Sequence, residues 1–232
     1  MITFYPGPSK VNNKVLNYMR DAFLDGVLSI NHRSPEFEQI YKDCVTSLKE
    51  KLLIPEDYVV MFASSATECW EIIAQSLIEQ ESYHIYNGAF GEKWYEYTKK
   101  LKPAAKGTHF DMQTELDVDA LEVPHPAELI AITHNETSNG TALNYHTLAK
   151  LRKMYPNQLI AVDATSSMAG VRLDFDLADI WYASVQKCFG LPAGLAVMVC
   201  SPRALERAVQ INENRHYNSF LFMVEKMQLN QT

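Results

Sequence analysis

No apolar run in this sequence is long enough to cross a bilayer. Its opening, Met1-Ile2-Thr3-Phe4-Tyr5-Pro6-Gly7-Pro8, lacks the basic stretch followed by an apolar one that marks a secretory signal. Neither membrane association nor secretion is expected, and a cytoplasmic protein is. The four cysteines, Cys44, Cys69, Cys188 and Cys200, form no CxxC pair and no His/Cys metal spacing. They read as free thiols in a reducing compartment, with no metal site. The chain also lacks GxxxxGK[ST], GxGxxG, GxSxG and HExxH. These absences argue against nucleotide hydrolysis, dinucleotide binding, serine hydrolysis and zinc proteolysis. Positive charge is in deficit: 21 basic against 28 acidic residues give a net charge of -7. A nucleic-acid backbone is therefore a poor partner. Internal repeats and low-complexity linkers are absent too.

What remains is an ordinary globular composition, 47% hydrophobic and 21% charged over 232 residues. From about residue 59 onward, apolar strand-like runs alternate with helical patterns. The runs are 59–63, 83–86, 129–133, 159–163, 180–185 and 195–200, and several are apolar on both faces, as buried parallel strands are. Amphipathic helices are predicted at roughly 67–79, 90–102, 145–155 and 202–213, after two earlier ones at 12–24 and 35–53. The pattern predicts an α/β fold, a mostly parallel sheet with helices on both faces. Residues 1–13 read as an extended arm and 14–232 as one domain.

In such sheets ligands collect beyond the carboxyl ends of the strands. The chemically informative residues fall there: Ser64-Ser65-Ala66-Thr67, Asn87-Gly88-Ala89-Phe90, His134-Asn135-Glu136-Thr137, Asp163 and Lys187. Lys187 ends an apolar run and precedes a glycine-rich turn. An isolated cation in that setting needs a partner or a task. Beside it, Asp163 ends a second apolar strand. A lysine and an aspartate at neighbouring strand ends suggest pyridoxal 5'-phosphate (PLP) chemistry: the lysine forms an imine with the aldehyde and the aspartate pairs with the ring nitrogen. Taken alone, Lys187 reads equally well as a structural lysine paired to a carboxylate, and Asp163 as a magnesium ligand. Ser65, Ala66 and Thr67 open a helix and offer N–H and hydroxyl groups to a phosphate, or merely cap the helix. Phe90 could stack on a flat ring, with Trp94 as its rival, or belong to the core. His32 and Arg33 lie in a polar loop where an arginine suits carboxylate or phosphate capture.

Together these segments resemble the class V, fold type I PLP-dependent aminotransferases, most closely their phosphoserine branch. The resemblance rests on Phe4-Tyr5-Pro6-Gly7-Pro8, on Ile30 to Phe37 around His32-Arg33-Ser34, and on Ser64 to Glu68. It continues through Asn87 to Gly91, His134-Asn135-Glu136-Thr137-Ser138-Asn139-Gly140, Val162 to Ser167, and Ser184-Val185-Gln186-Lys187. It implies that Lys187 and Asp163 are catalytic. Ser65, Ala66, Thr67 and Gln186 would hold the cofactor phosphate, Thr137 the cofactor hydroxyl side, and Phe90 the ring. Asn218 and Ser219 would reach a neighbouring subunit's phosphate, and His32 and Arg33 would line the substrate site across the interface of a homodimer with shared active sites. The substrates implied are small amino and keto acids, phosphoserine with 2-oxoglutarate, or those of the alanine–glyoxylate and serine–pyruvate types. Cysteine desulfuration is disfavoured, because no cysteine lies in an obvious mobile loop. Family members continue beyond the position of Thr232 into a small C-terminal domain, so that domain is expected to be largely absent, and a non-catalytic PLP-binding fragment is the alternative.

Overall fold

Strands apolar at nearly every position are stable only where both sheet faces are covered. The computed structural model describes residues 5–231; Met1 to Phe4, where the arm motif opens, and Thr232 lie outside the described residues. Two helices come first, α1 (Asn13–Leu24) and α2 (Pro35–Leu52). There follow β1 (Val59–Ala63), α3 (Ala66–Ser76), β2 (Ser82–Tyr86), α4 (Ala89–Leu101), β3 (Lys106–His109) and β4 (Leu129–Thr133). A two-stranded hairpin comes next, β5 (Asn135–Glu136) and β6 (Thr141–Ala142). The remainder is α5 (Tyr145–Met154), β7 (Leu159–Asp163), β8 (Ile180–Ser184), β9 (Ala196–Cys200), α6 (Pro202–Ile211) and α7 (Phe220–Gln228).

Seven strands form one sheet in the order β1-β9-β8-β7-β4-β2-β3. All neighbours are parallel except β9, which opposes both β1 and β8. Since β9 opposes both, β1 runs the same way as the rest. The carboxyl ends of β1, β2, β4, β7 and β8 therefore emerge along one edge.

Alternation along each strand divides the core. Val60, Ile130, Ile132, Ile160, Val162, Trp181 and Val199 face one layer, where Leu148 and Leu151 of α5 pack. Met61, Leu129, Ala131, Ala161, Tyr182 and Met198 face the other, against Trp70 and Ile73 of α3, Trp94 of α4, Ala204 of α6 and Phe220 of α7. Burying a side chain of this size is worth roughly 1.5–3 kcal/mol. Opposite the ligand edge, Asp179 ties three strands together: its Oδ2 accepts from Ile160 N–H at 2.9 Å and from Arg152, and its Oδ1 accepts from Ser201 Oγ at 3.0 Å.

The predicted strands and helices agree with these elements to within a few residues. Three pieces were not anticipated: β3, the β5–β6 hairpin and α7. Helix α1 differs from the other helices in that none of its residues is buried.

Candidate active site

The carboxyl edge opens into a cleft of about 550 Å³ lined by Ser65, Ala66, Thr67, Phe90, Thr137, Asp163, Gln186 and Lys187, among others. Asp163 ends β7, Ser65 to Thr67 and Phe90 lie where α3 and α4 begin, and Thr137, Gln186 and Lys187 lie in loops that follow strands. At the centre, Lys187 Nζ donates to Thr137 Oγ1 at 2.6 Å and to Ser166 Oγ at 2.9 Å. It forms no ion pair among the described residues. Burial pulls its pKa down from the ordinary lysine value, opposed by the charges of Asp163 and Glu136. The amine also sits 5.1 Å from the centroid of the Phe90 ring.

Asp163 forms the inner wall and is only 5% exposed. Its Oδ1 accepts from the Thr165 N–H at 2.9 Å. Burial pushes its carboxyl up, opposed by Thr165, Lys187 and Tyr182. No ion pair neutralises it among the described residues. The β7–β8 register sets Tyr182 directly beside it, and the Tyr182 hydroxyl accepts from Trp70 Nε1 at 2.7 Å. A buried carboxylate without a cation is costly. A protonated heterocycle nitrogen in the cleft would relieve that cost.

The start of α3 forms another wall. Ser65 is its N-cap and accepts from Glu68 N–H at 3.1 Å. The Ala66 N–H is committed to Ser184 Oγ at 2.8 Å. The Thr67 N–H has no acceptor among the described residues, which leaves it for an anion at the positive end of the helix. Ser65 thus serves as a helix cap, and Ala66 reaches the cleft with its N–H already occupied.

On the far side the two candidate aromatic rings separate. Trp94 is 1% exposed and packs among Trp70, His84 and Tyr182. Phe90 is 40% exposed and lines the cleft, so it is the ring available to a planar ligand. The arm closes the site from outside. Ser9 Oγ donates to the Lys187 carbonyl at 2.6 Å and Ser9 N–H to the Gln186 carbonyl at 2.8 Å. A Cβ at Gly7 would come within 3.1 Å of Lys187 Cε, close enough that the lysine side chain would have to shift.

Four residues anticipated from the sequence do not meet in this cleft. His32 and Arg33 are exposed in the turn before α2. Asn218 Nδ2 donates to Glu68 Oε1 at 3.4 Å, behind the α3 wall. Ser219 is 2% exposed and stands at the N-cap position of α7 without a side-chain capping bond. Conversely, Ser166, Ser184, Glu136 and Tyr182 shape the site without having been singled out individually. Serines are too common to be marked, and only strand register brings Tyr182 to Asp163.

Residues 2–231 match the family model described as aminotransferase class V. The phosphoserine aminotransferase of Corynebacterium glutamicum (strain R) is 32% identical over 219 residues, 91% of this chain and 55% of that protein. Its counterpart in Rhodococcus opacus (strain B4) is 31% identical over 90% of this chain and 54% of its own length. A solved phosphoserine aminotransferase from Cytophaga hutchinsonii superposes with a TM-score of 0.92 at 36% identity, covering 98% of this chain and 64% of that one. An aspartate aminotransferase from Thermus thermophilus shares the fold, with a TM-score of 0.81 at 21% identity. The chain thus spans about half the length of the curated relatives it matches. On the match of its sequence to the family model, the chain belongs to the class-V aminotransferases.

Proposed function

We propose that this chain is the cofactor-binding part of a PLP-dependent aminotransferase that exchanges amino groups between phosphoserine and 2-oxoglutarate. One observation carries the reading: a desolvated lysine amine, held by two hydroxyls rather than a carboxylate, shares a cleft with a buried aspartate that lacks a cation. The names of the relatives at 31–36% identity support the substrate class.

When bound, PLP supplies an electrophilic aldehyde and a protonated ring that withdraws electrons. Lys187 Nζ, its pKa lowered by burial, is the nucleophile toward that aldehyde. Placed beside the cofactor, the same amine would hold or move a proton at the substrate Cα. Thr137 and Ser166 orient Nζ throughout. Asp163 would keep the ring nitrogen charged, Phe90 would cover a ring face, and Gln186 with the Ser65–Thr67 segment would hold the phosphate. His32, Arg33 and Asn218 lie outside this chain's cleft, and we assign them to the cleft of a second copy in a homodimer; Ser219, buried in its own fold, is not assigned there. The exposure of Leu16, Met19 and Phe23 on α1 supports such a partner. The four unpaired thiols fit a cytoplasmic setting.

The test is reductive trapping. Borohydride treatment of the PLP-loaded chain should fix the cofactor covalently on Lys187, as read by peptide mass, and Lys187→Ala should trap none. Wild-type protein that binds no PLP refutes the reading. For the substrate class, phosphoserine, alanine, serine and glutamate are mixed separately with the loaded protein. Bleaching of the yellow band by alanine but not by phosphoserine overturns the choice of phosphoserine.

A further inference from the structure

Helix α4 begins without a side-chain cap of its own, because Gly88 stands at its N-cap. Its first N–H groups are satisfied instead by the β5–β6 hairpin loop. Ser138 Oγ accepts from Ala89 N–H at 2.9 Å. Glu136 Oε1 accepts from Phe90 N–H at 3.4 Å and Oε2 from Gly91 N–H at 3.1 Å. Glu136 is 2% exposed and also accepts from Ser138 N–H at 3.0 Å and Ser138 Oγ at 2.7 Å. It is therefore a buried carboxylate whose charge is balanced by N–H groups and the positive end of a helix. Glycine at 88 is a condition of this contact, since a Cβ there would lie 2.4 Å from Glu136 Cγ.

The residue between these two caps is Thr137, whose hydroxyl holds Lys187 Nζ. A single three-residue stretch thus fixes both the amine and the backbone of the ring that faces it. We propose that Glu136, assisted by Ser138, is a positioning residue that sets Phe90 over the cofactor ring by capping α4 from the neighbouring loop. Glu136 is not among the residues lining the cleft. It acts through Phe90, and the inference rests on the PLP reading above.

The experiment compares Glu136→Gln and Ser138→Ala with Asn144→Ala, which removes an ordinary cap from α5, where Asn144 Oδ1 accepts from Thr147 N–H at 2.8 Å. The signal is the induced circular dichroism of bound PLP, normalised to cofactor bound, with the PLP dissociation constant beside it. Glu136→Gln should lose induced ellipticity and weaken PLP binding about three- to tenfold, the worth of one aromatic stacking contact. In the cofactor-free protein, the Phe90 and Gly91 amides should exchange faster. Ser138→Ala, the milder change, should move the same signals in the same direction. Asn144→Ala should lower the melting temperature and leave the induced signal intact. If Glu136→Gln, or Ser138→Ala should the former not fold, keeps wild-type ellipticity and PLP affinity, the cap is only structural and the proposal falls. Wild-type protein that binds no PLP removes the cofactor reading and this inference with it. A loaded wild type with unaltered variants removes this inference alone.

Discussion

Acid should destabilise this fold through one residue on a sheet strand. His84 lies in β2, 2% exposed, beneath the aromatic layer of α4. Its Nε2 is 3.1 Å from Ser82 Oγ, its Nδ1 has no hydrogen-bond partner among the described residues, and its ring stands edge-on to Trp94 at 5.5 Å. Nothing there can receive a second proton, and burial pulls the imidazole down from 6.5 to about 3. The folded chain thus stays neutral at this site between those values while the unfolded chain takes up a proton. Stability contributed by neutral His84 is complete above the unfolded value, is lost as pH falls below 6.5, and stops declining near the folded value. Between pH 7.5 and 5 the loss amounts to about 1.5 pH units of proton linkage, or about 2 kcal/mol. For a domain of this size that is about 4–8 °C in melting temperature. The assay is urea denaturation of cofactor-free protein at both pH values, for wild type and His84→Gln. The variant's starting stability is immaterial, because the comparison reads the drop between the two pH values. His134, also lowered by burial, contributes equally to both proteins. Equal drops in the two proteins would show that His84 accepts its proton without unfolding, and the reasoning would fail.

Asp179→Ala should cost about 3–5 kcal/mol in urea denaturation, because it strands Arg152 at the buried end of β7, β8 and β9. An effect under about 1 kcal/mol would mean that water replaces the carboxylate. Gly91→Ala should destabilise by about 1–3 kcal/mol, since its Cβ would fall 2.7 Å from Tyr86 Cβ, on a strand that cannot give way; an unchanged melting temperature would show that α4 slides freely. Ser184→Ala should cost about 1 kcal/mol by freeing the Ala66 N–H. The same variant should tighten inorganic phosphate binding, measured calorimetrically, because that N–H then joins Thr67's. Weaker phosphate binding would refute the assignment of this helix end as an anion site.

Most of the sheet was legible because β1, β4, β7, β8 and β9 are apolar at nearly every position and bounded by turn residues. Residues 106–109 were not, because Lys-Gly-Thr-His carries no apolar alternation. The strand forms at the sheet edge, pairing only with β2, and its glycine is imposed from outside: a Cβ on Gly107 would sit 3.0 Å from the Tyr86 ring. Phe90 and Trp94, one helical turn apart, are indistinguishable as sequence. Their fates diverge because α4 starts at the strand ends and runs back over the sheet, which leaves the first ring at the cleft and carries the second above β2. The hydroxyl contacts of Ser166 and Ser184 were illegible for a different reason. Serine is compatible with nearly any loop, and only the three-dimensional closeness of β7, β8 and α3 gives these two a partner.

The choice between a structural and a reactive Lys187 turns on its hydrogen bonds. A structural lysine at a sheet edge would be expected against a carboxylate, which would hold its proton and raise its pKa. Here the two acceptors are neutral hydroxyls. Hydroxyls fix the direction of Nζ as well as a carboxylate would, yet they add no charge to oppose loss of the proton. Burial then acts with little local resistance, and the pKa falls although Asp163 and Glu136 pull against it from further off. Those carboxylates are engaged elsewhere, Asp163 with the Thr165 N–H and Glu136 with the head of α4. The fold therefore holds two negative charges near the amine without letting either pair with it. That arrangement supports the proposed reading, in which a ligand would offer a cation to Asp163, an anion to Thr67 and an electrophile to Lys187.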